Sequence, residues 1–350
     1  MKKIIVHIGT FKTGSTSLQH HLALNREVLL ENNFYYGDYF ENIKAHSNLG
    51  YGLLREALQE NDVFEKYRDH PRFIHVAEDP EDVIRRIAEN SGNCNVIISH
   101  EALFADSYRT LIGLDAFVDF ELMARINTYI RRRLFGLLSN ISNEIQVICY
   151  LRRQDLFIES QFNQLCKQPW YSGGQIHDFD KFLEVQPVNL DYYSQLVEWE
   201  KIFGGNSIRI KVYDKKLMKK GLIDDFYKDI LGISETEKLK NIPRKDENLG
   251  LNPQIIMYMK MMNLEDKGIH EILQKYPTLS GYNQKEGFFD HRNRIKFLEK
   301  YDRINCQVAR HFLNREKLFD DEIEQIPQIK ALSYDEFAEI TKWLLGEILS

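Results

Sequence analysis

The densest grouping of anion-binding side chains in the sequence is Lys12-Thr13-Gly14-Ser15-Thr16-Ser17, which sets one ammonium and four hydroxyls around a glycine. An apolar, β-branched run (Ile4, Ile5, Val6 and Ile8) precedes it, as in a buried strand. A helical pattern carried by Leu18, Leu22, Val28 and Leu29 follows. A strand, a polar turn and a helix start make an anion site. The free N–H groups of the first helical turn point at the ligand, and the helix dipole favours negative charge. Gly14 lets the backbone come close to a phosphate. A nucleoside-triphosphate loop reads G-x-x-x-x-G-K-[ST]. Gly9 and Gly14 have that separation, but Ser15 stands where the lysine belongs, so the segment reads poorly as an ATPase loop.

Two further groups sit at the ends of apolar runs. Arg152 and Arg153 close the run 145–151, and Ser160 follows Arg152 by eight positions, about two turns into the next helical pattern. An arginine grips a phosphate bidentately and a serine hydroxyl adds a donor. Arg153 either shares that role or forms a salt bridge at the helix start. His100 and Glu101 follow the run 95–99, and His46 lies in a Lys-Ala-His-Ser-Asn segment. His20 and His21, inside the first helical pattern, read as structural. Arg131-Arg132-Arg133 reads as a solvated or salt-bridged helix face, with an anionic acceptor as the other use of such a run. Trp170-Tyr171 with Ser172-Gly173-Gly174 reads as an aromatic loop able to stack on a sugar ring or to act as a lid. Tyr192, Tyr193 and Trp199 suit the core equally well.

The elements that must position these groups alternate. Strands are expected at 4–8, 95–99, 145–151 and 207–213, with a short one near 34–37, and helical patterns run between them. Such alternation predicts an α/β fold: a mainly parallel sheet of the P-loop type covered by helices on both faces, with ligands beyond the C-terminal ends of the strands. A helix over 217–231 should end at Gly232, and 252 onward reads as helical, most clearly over 292–312. One domain over 1–350 is expected, with an α/β nucleotide-binding core over 1–235 and a mostly helical extension over 236–350 packed on it.

The 350 residues, 43% hydrophobic and 28% charged, suffice for a substantial core. The net charge of −6 argues against a nucleic-acid partner. No long uncharged apolar stretch predicts a membrane span, and Met1-Lys2-Lys3 with the short run after it falls short of a signal peptide. Cys94, Cys149, Cys166 and Cys306 lack zinc spacing, and Cys94 and Cys149 read as small core hydrophobes. A cytoplasmic location is the expectation. Oligomeric state is not legible.

The order Lys-Thr-Gly-Ser-Thr at residues 12–16 resembles the 5′-phosphosulfate loop of sulfotransferases that use 3′-phosphoadenosine-5′-phosphosulfate (PAPS). The spacing from Arg152 to Ser160 resembles that family's 3′-phosphate motif, although Gln154 stands where the family usually has proline. Residues 213–232 and 305–319 look like the family's later segments. The resemblance, to bacterial carbohydrate-type members that lack a membrane anchor, implies transfer of a sulfuryl group to a hydroxyl of a carbohydrate or glycolipid-like acceptor, leaving adenosine 3′,5′-bisphosphate (PAP). It implies no metal. Lys12 would meet the bridging oxygen, where charge develops. Residues 13–17 (Thr13, Gly14, Ser15, Thr16 and Ser17) would hold the 5′-phosphate, and Arg152 with Ser160 the 3′-phosphate. The general base would be Glu101, with His100 second and His46 third. A P-loop kinase, or a non-catalytic nucleotide-binding protein on the same fold, is the competing reading.

Overall fold

The computed structural model describes residues 2–10, 12–41, 44–104, 119–167, 179–184, 190–214, 221–241 and 287–319, with scattered positions from 323 to 342. Five strands form one sheet: β1 Lys3–His7, β2 Phe34–Tyr35, β3 Asn95–Ser99, β4 Glu144–Leu151 and β5 Ile208–Val212, in the order β2-β3-β1-β4-β5. Every pairing is parallel. Parallel strands need a crossover between them, and helices supply it: α1 Ser15–Leu24, α2 Arg26–Glu31, α3 Ser47–Glu60, α4 Pro71–His75, α5 Pro80–Asn90, α6 Phe120–Ser139, α7 Gln154–Lys167, α8 Phe179–Glu184 and α9 Tyr192–Phe203. After β5 comes α10, Gly221–Asp225. The α11 helix, His291–Glu299, and α12, Asp302–Leu313, follow.

Side-chain alternation along each strand splits the core in two. Ile4, Val6, Val96, Ile98, Val147 and Cys149 face one layer, built on α3, α5, α6 and α9. Ile5, Ile97, Ile148 and Tyr150 face the other, which contains Leu18 and Leu22 of α1 and the Phe226–Ile230 turn after α10. That parity also turns His7 and Ser99, paired across β1 and β3, toward α1.

The strand order fixes where a ligand belongs. From β1 the chain travels to β2 on one side, and from β4 it travels to β5 on the other. Between the C-terminal ends of β1 and β4 the topology therefore switches direction, which leaves a crevice there. The Lys12 loop leaves β1 at that point, and Arg152 leaves β4.

Three boundaries differ from expectation. The first helical pattern is two helices, because Asn25 ends α1 and donates through its amide to the His21 carbonyl at 2.9 Å and the Lys240 carbonyl at 3.0 Å. The pattern over 292–312 is also two helices, interrupted at Lys300 and Tyr301. Of the 217–231 pattern, the described part runs as α10 and then a wider π-helical turn, Phe226–Ile230, with Gly232 at φ 73° after it. Cys149 is buried in β4 as expected, whereas Cys94 is only half-buried. Residues 252–286 and the Trp170-Tyr171 loop lie outside the described residues. Among the described residues no helix is long and apolar enough to cross a membrane.

Candidate functional site

The loop after β1 is built to expose backbone donors. Thr10 pins it to the end of β4: its hydroxyl donates to the Tyr150 carbonyl at 3.0 Å. Thr13 then donates its hydroxyl to the Thr10 carbonyl at 2.7 Å. Lys12 (φ 65°) and Gly14 (φ 80°) both adopt left-handed backbone. For lysine this conformation costs about 1 kcal/mol, a strain that tends to sit at functional loops. Gly14 is the N-cap of α1 and supplies no side-chain cap, and the first turn carries no acid. By contrast, Asp79, Asp119, Asp191 and Asp290 cap α5, α6, α9 and α11 with their carboxylates. The N–H groups at the start of α1 are thus left for an anion. The hydroxyls divide: Thr13 and Ser15 are buried within the loop, whereas Thr16 is exposed and Ser17 half-buried.

Across the crevice, Arg152 donates from Nη1 to the Lys12 carbonyl at 2.8 Å, joining the β4 end to the loop. Tyr192 fixes the Arg152 carbonyl through a 2.7 Å hydrogen bond, and the Tyr213 ring lies 5.9 Å from the guanidinium. Burial lowers the Arg152 pKa, with Tyr213 first among the groups that partly offset it. No carboxylate among the described residues forms an ion pair with it. The other two arginines here differ. Arg153 pairs with Asp155 at 2.7 Å, the salt bridge at the helix start. Arg294, fully buried on α11, pairs with Asp155 at 2.7 Å and Glu159 at 2.9 Å. Ser160 is half-buried on α7, one turn before Gln164, whose Oε1 accepts from the Lys12 ammonium at 3.0 Å. Sequence reasoning passed over Gln164, although its four-residue offset from Ser160 places it on the same helix face. Gln154, the departure from the family's proline, is fully buried and exchanges amide hydrogen bonds of 2.7 and 3.1 Å with Asn305 of α12.

At the end of β3 the three candidate bases part ways. His46 is buried with both ring nitrogens on backbone: Nδ1 accepts from Ser99 N at 3.1 Å, so Nε2 donates to the Gly37 carbonyl at 3.0 Å. Burial pushes its pKa down to about 4. His100 is also buried, 3.3 Å from the Ser47 hydroxyl through Nδ1, and its ring packs so closely on Gly50 that a Cβ there would lie 2.1 Å away. Burial, and then the nearby Arg72 charge, lower its pKa to about 3. Glu101 alone of the three is only half-buried, and its Oε2 accepts from Gln19 of α1 at 2.7 Å.

The Arg131-Arg132-Arg133 run divides. Arg131 is buried, donating to the Phe104 carbonyl at 2.8 Å and to Gln195 at 2.6 Å against the Trp199 ring. Arg133 is held by Glu56 and Glu81, and Arg132 is exposed. His21 sits against Tyr227 in the core, as read from sequence. No group of three or more His, Cys, Asp or Glu side chains gathers as a metal site among the described residues.

No known family model matches the chain. An uncharacterised protein of Archaeoglobus fulgidus is 28% identical over 195 residues, a match covering 51% of this chain and 50% of that protein. The chain therefore spans about half the length of the curated relative it matches. Among solved structures, a sulfotransferase from Alicyclobacillus acidocaldarius is similar at 12% identity and a TM-score of 0.39, over 78% of this chain and 96% of that one. These are distant likenesses, and the functional reading rests on the residues of this chain.

Proposed function

We propose that the chain is a PAPS-dependent sulfotransferase acting on a hydroxyl of a carbohydrate or glycolipid-like acceptor. The observation that carries this reading is Arg152. It is a cation without an ion-pair partner among the described residues, depressed by burial, and bonded to the backbone of the anion-binding loop. Together with the uncapped start of α1 it makes two anion seats in one crevice, at the topological switch point. Two phosphates on one nucleoside are what separate PAPS from AMP. The loop seat would take the 5′-phosphosulfate, and Arg152 with Ser160 the 3′-phosphate.

PAPS supplies a sulfuryl group on a good leaving phosphate. The acceptor hydroxyl forms the new S–O bond as its proton passes to Glu101. The bond from sulfur to the bridging oxygen breaks, and its electron pair leaves on the 5′-phosphate of PAP. Lys12, reaching from the same loop, would offset the charge that develops on that oxygen. Of the candidate bases, Glu101 is favoured: His46 has no ring nitrogen left to accept a proton, and His100 is buried against Gly50.

The test is calorimetric titration and thermal shift with PAP, AMP and ATP–magnesium. PAP should stabilise the protein far more than AMP by mass action. Tighter binding of ATP–magnesium, or equal binding of PAP and AMP, would overturn the proposal in favour of a kinase or a plain nucleotide binder.

A further inference from the structure

The parity of β1 and β3 turns His7 and Ser99 toward α1, and Gln19 lies one turn beyond Ser15 on that helix. These residues and Glu101 form a chain. Gln19, 2% exposed, donates from Nε2 to Glu101 Oε2 at 2.7 Å and to Ser99 Oγ at 3.2 Å. Ser99 Oγ is 2.8 Å from His7 Nδ1. Counting donors assigns every proton in it. Both hydrogens of the Gln19 amide are used. The Ser99 oxygen accepts one of them, so its own hydrogen goes to His7 Nδ1, and His7 is neutral with its proton on Nε2. The reverse tautomer would strand the buried Ser99 hydroxyl, whereas Nε2 has no partner among the described residues in either tautomer. Burial lowers the His7 pKa to about 4, so the neutral form holds across the neutral range. Gly9 leaves room for this ring, since a Cβ there would lie 2.9 Å from His7 Nε2.

We propose that Gln19 is a positioning residue for the reaction: anchored from below by Ser99 and His7, its amide fixes one oxygen of the Glu101 carboxylate and leaves the other to meet the acceptor hydroxyl. This rests on the reading of Glu101 as the base. A glutamine could present either end of its amide to a neighbour. The Glu101 carboxylate has no proton to give, so a flipped Gln19 would set its amide oxygen 2.7 Å from another acceptor. The carboxylate therefore fixes the amide donor toward itself, and Ser99, backed by His7, takes the second amide hydrogen. The same helix that offers its N-terminus to the 5′-phosphate thus sets the base, through residues one turn apart.

The experiment measures PAP release from PAPS, with water as the acceptor, for the full chain and for Gln19→Leu, Glu101→Gln and the double variant, alongside PAP affinity and melting temperature. Gln19→Leu should lower kcat about 10- to 100-fold, the scale of a misplaced catalytic group, with PAP affinity within about twofold. In the Glu101→Gln background it should cost nothing more, because Gln19 acts only through Glu101. A purely structural role would instead multiply through in the double variant and weaken PAP binding in parallel. If Gln19→Leu unfolds, Gln19→Met, unbranched and close to glutamine in volume, removes the same two donors and carries the same expectation: kcat falls with PAP affinity kept, and nothing more is lost in the Glu101→Gln background. Wild-type release no faster than in buffer, or full turnover by Glu101→Gln, would bring down the reading of Glu101 as base. An inactive Glu101→Gln beside a fully active Gln19→Leu would bring down only the role of Gln19.

Discussion

Arg152 and Arg294 lie near one another in the chain's architecture but should respond oppositely to the same change. Arg294 is fully buried between Asp155 at 2.7 Å and Glu159 at 2.9 Å. Replacing it with methionine strands part of the buried Asp155 carboxylate and of the partly buried Glu159 carboxylate. Breaking a buried pair costs about 3–5 kcal/mol, and the low end applies because Arg153 still serves Asp155 and the backbone of Phe288 and Phe289 still serves Glu159. At roughly 2 °C per kcal/mol for a chain of this size, the free protein should melt about 6 °C lower. Arg152→Met removes a desolvated cation that forms no ion pair among the described residues, at the cost of one hydrogen bond to Lys12 O. The two effects are each about 1 kcal/mol and opposed, so the free protein should melt within about 2 °C of the wild type. With PAP the ranking inverts. Hydrogen bonds to a charged group are worth about 1.5–3 kcal/mol, so Arg152→Met should weaken PAP by about 10- to 150-fold while leaving AMP alone. At a PAP concentration near 100 times the wild-type Kd, the gain of about 2.7 kcal/mol would fall to about 0.6 for a 50-fold loss. Differential scanning fluorimetry with and without PAP reads both effects. A free Arg152→Met protein as unstable as Arg294→Met would make Arg152 a structural residue, and an unchanged PAP shift would remove it from the nucleotide site.

Two further outcomes follow from the same geometry. Lys12→Ala should lower PAPS turnover by about 100-fold or more while PAP affinity changes only severalfold, because the charge it offsets develops in the transition state; equal losses in both would place Lys12 in ground-state binding instead. His7, His21 and His46, pushed down to about 4, and His100, pushed down to about 3, are neutral when folded but take a proton near 6.5 once unfolded, so stability is fully present above pH 6.5 and falls as the pH drops from there toward 4. These four groups together give a slope of up to about 5 kcal/mol per pH unit, so the melting temperature should collapse near pH 5, and a flat profile from pH 7 to 5 would contradict the burial of these rings.

The sheet was legible because its signal is local. The buried strands β1, β3 and β4 are short β-branched runs and the edge strand β5 alternates, so all four stand close to where those patterns put them. Helix boundaries were less legible because they depend on contacts across the fold. Nothing near Asn25 in sequence announces that its amide will donate to the Lys240 carbonyl and so help to end α1. The interruption of 292–312 at Lys300 and Tyr301 carries neither proline nor glycine to mark it.

The site divides in the same way. Residue type and spacing name the groups able to hold a phosphate or take a proton, but not which of them the fold leaves unspent. Arg152 and Arg153 are chemically identical neighbours. They diverge because Asp155 and Glu159 stand one helical turn apart on α7, where they bind Arg153 from within the segment and Arg294 from α11. That pairing uses both nearby carboxylates, and the arginine one residue earlier, on the strand side of the turn, is left without an ion pair among the described residues. The histidines follow the same logic in reverse. His46 and His100 looked like bases because they sit beside a strand end, yet both are buried against Gly37, Ser99 and Gly50, and the carboxylate beside them is only half-buried. A functional residue at this crevice is thus recognised less by what it can bind than by what the rest of the chain has declined to bind with it.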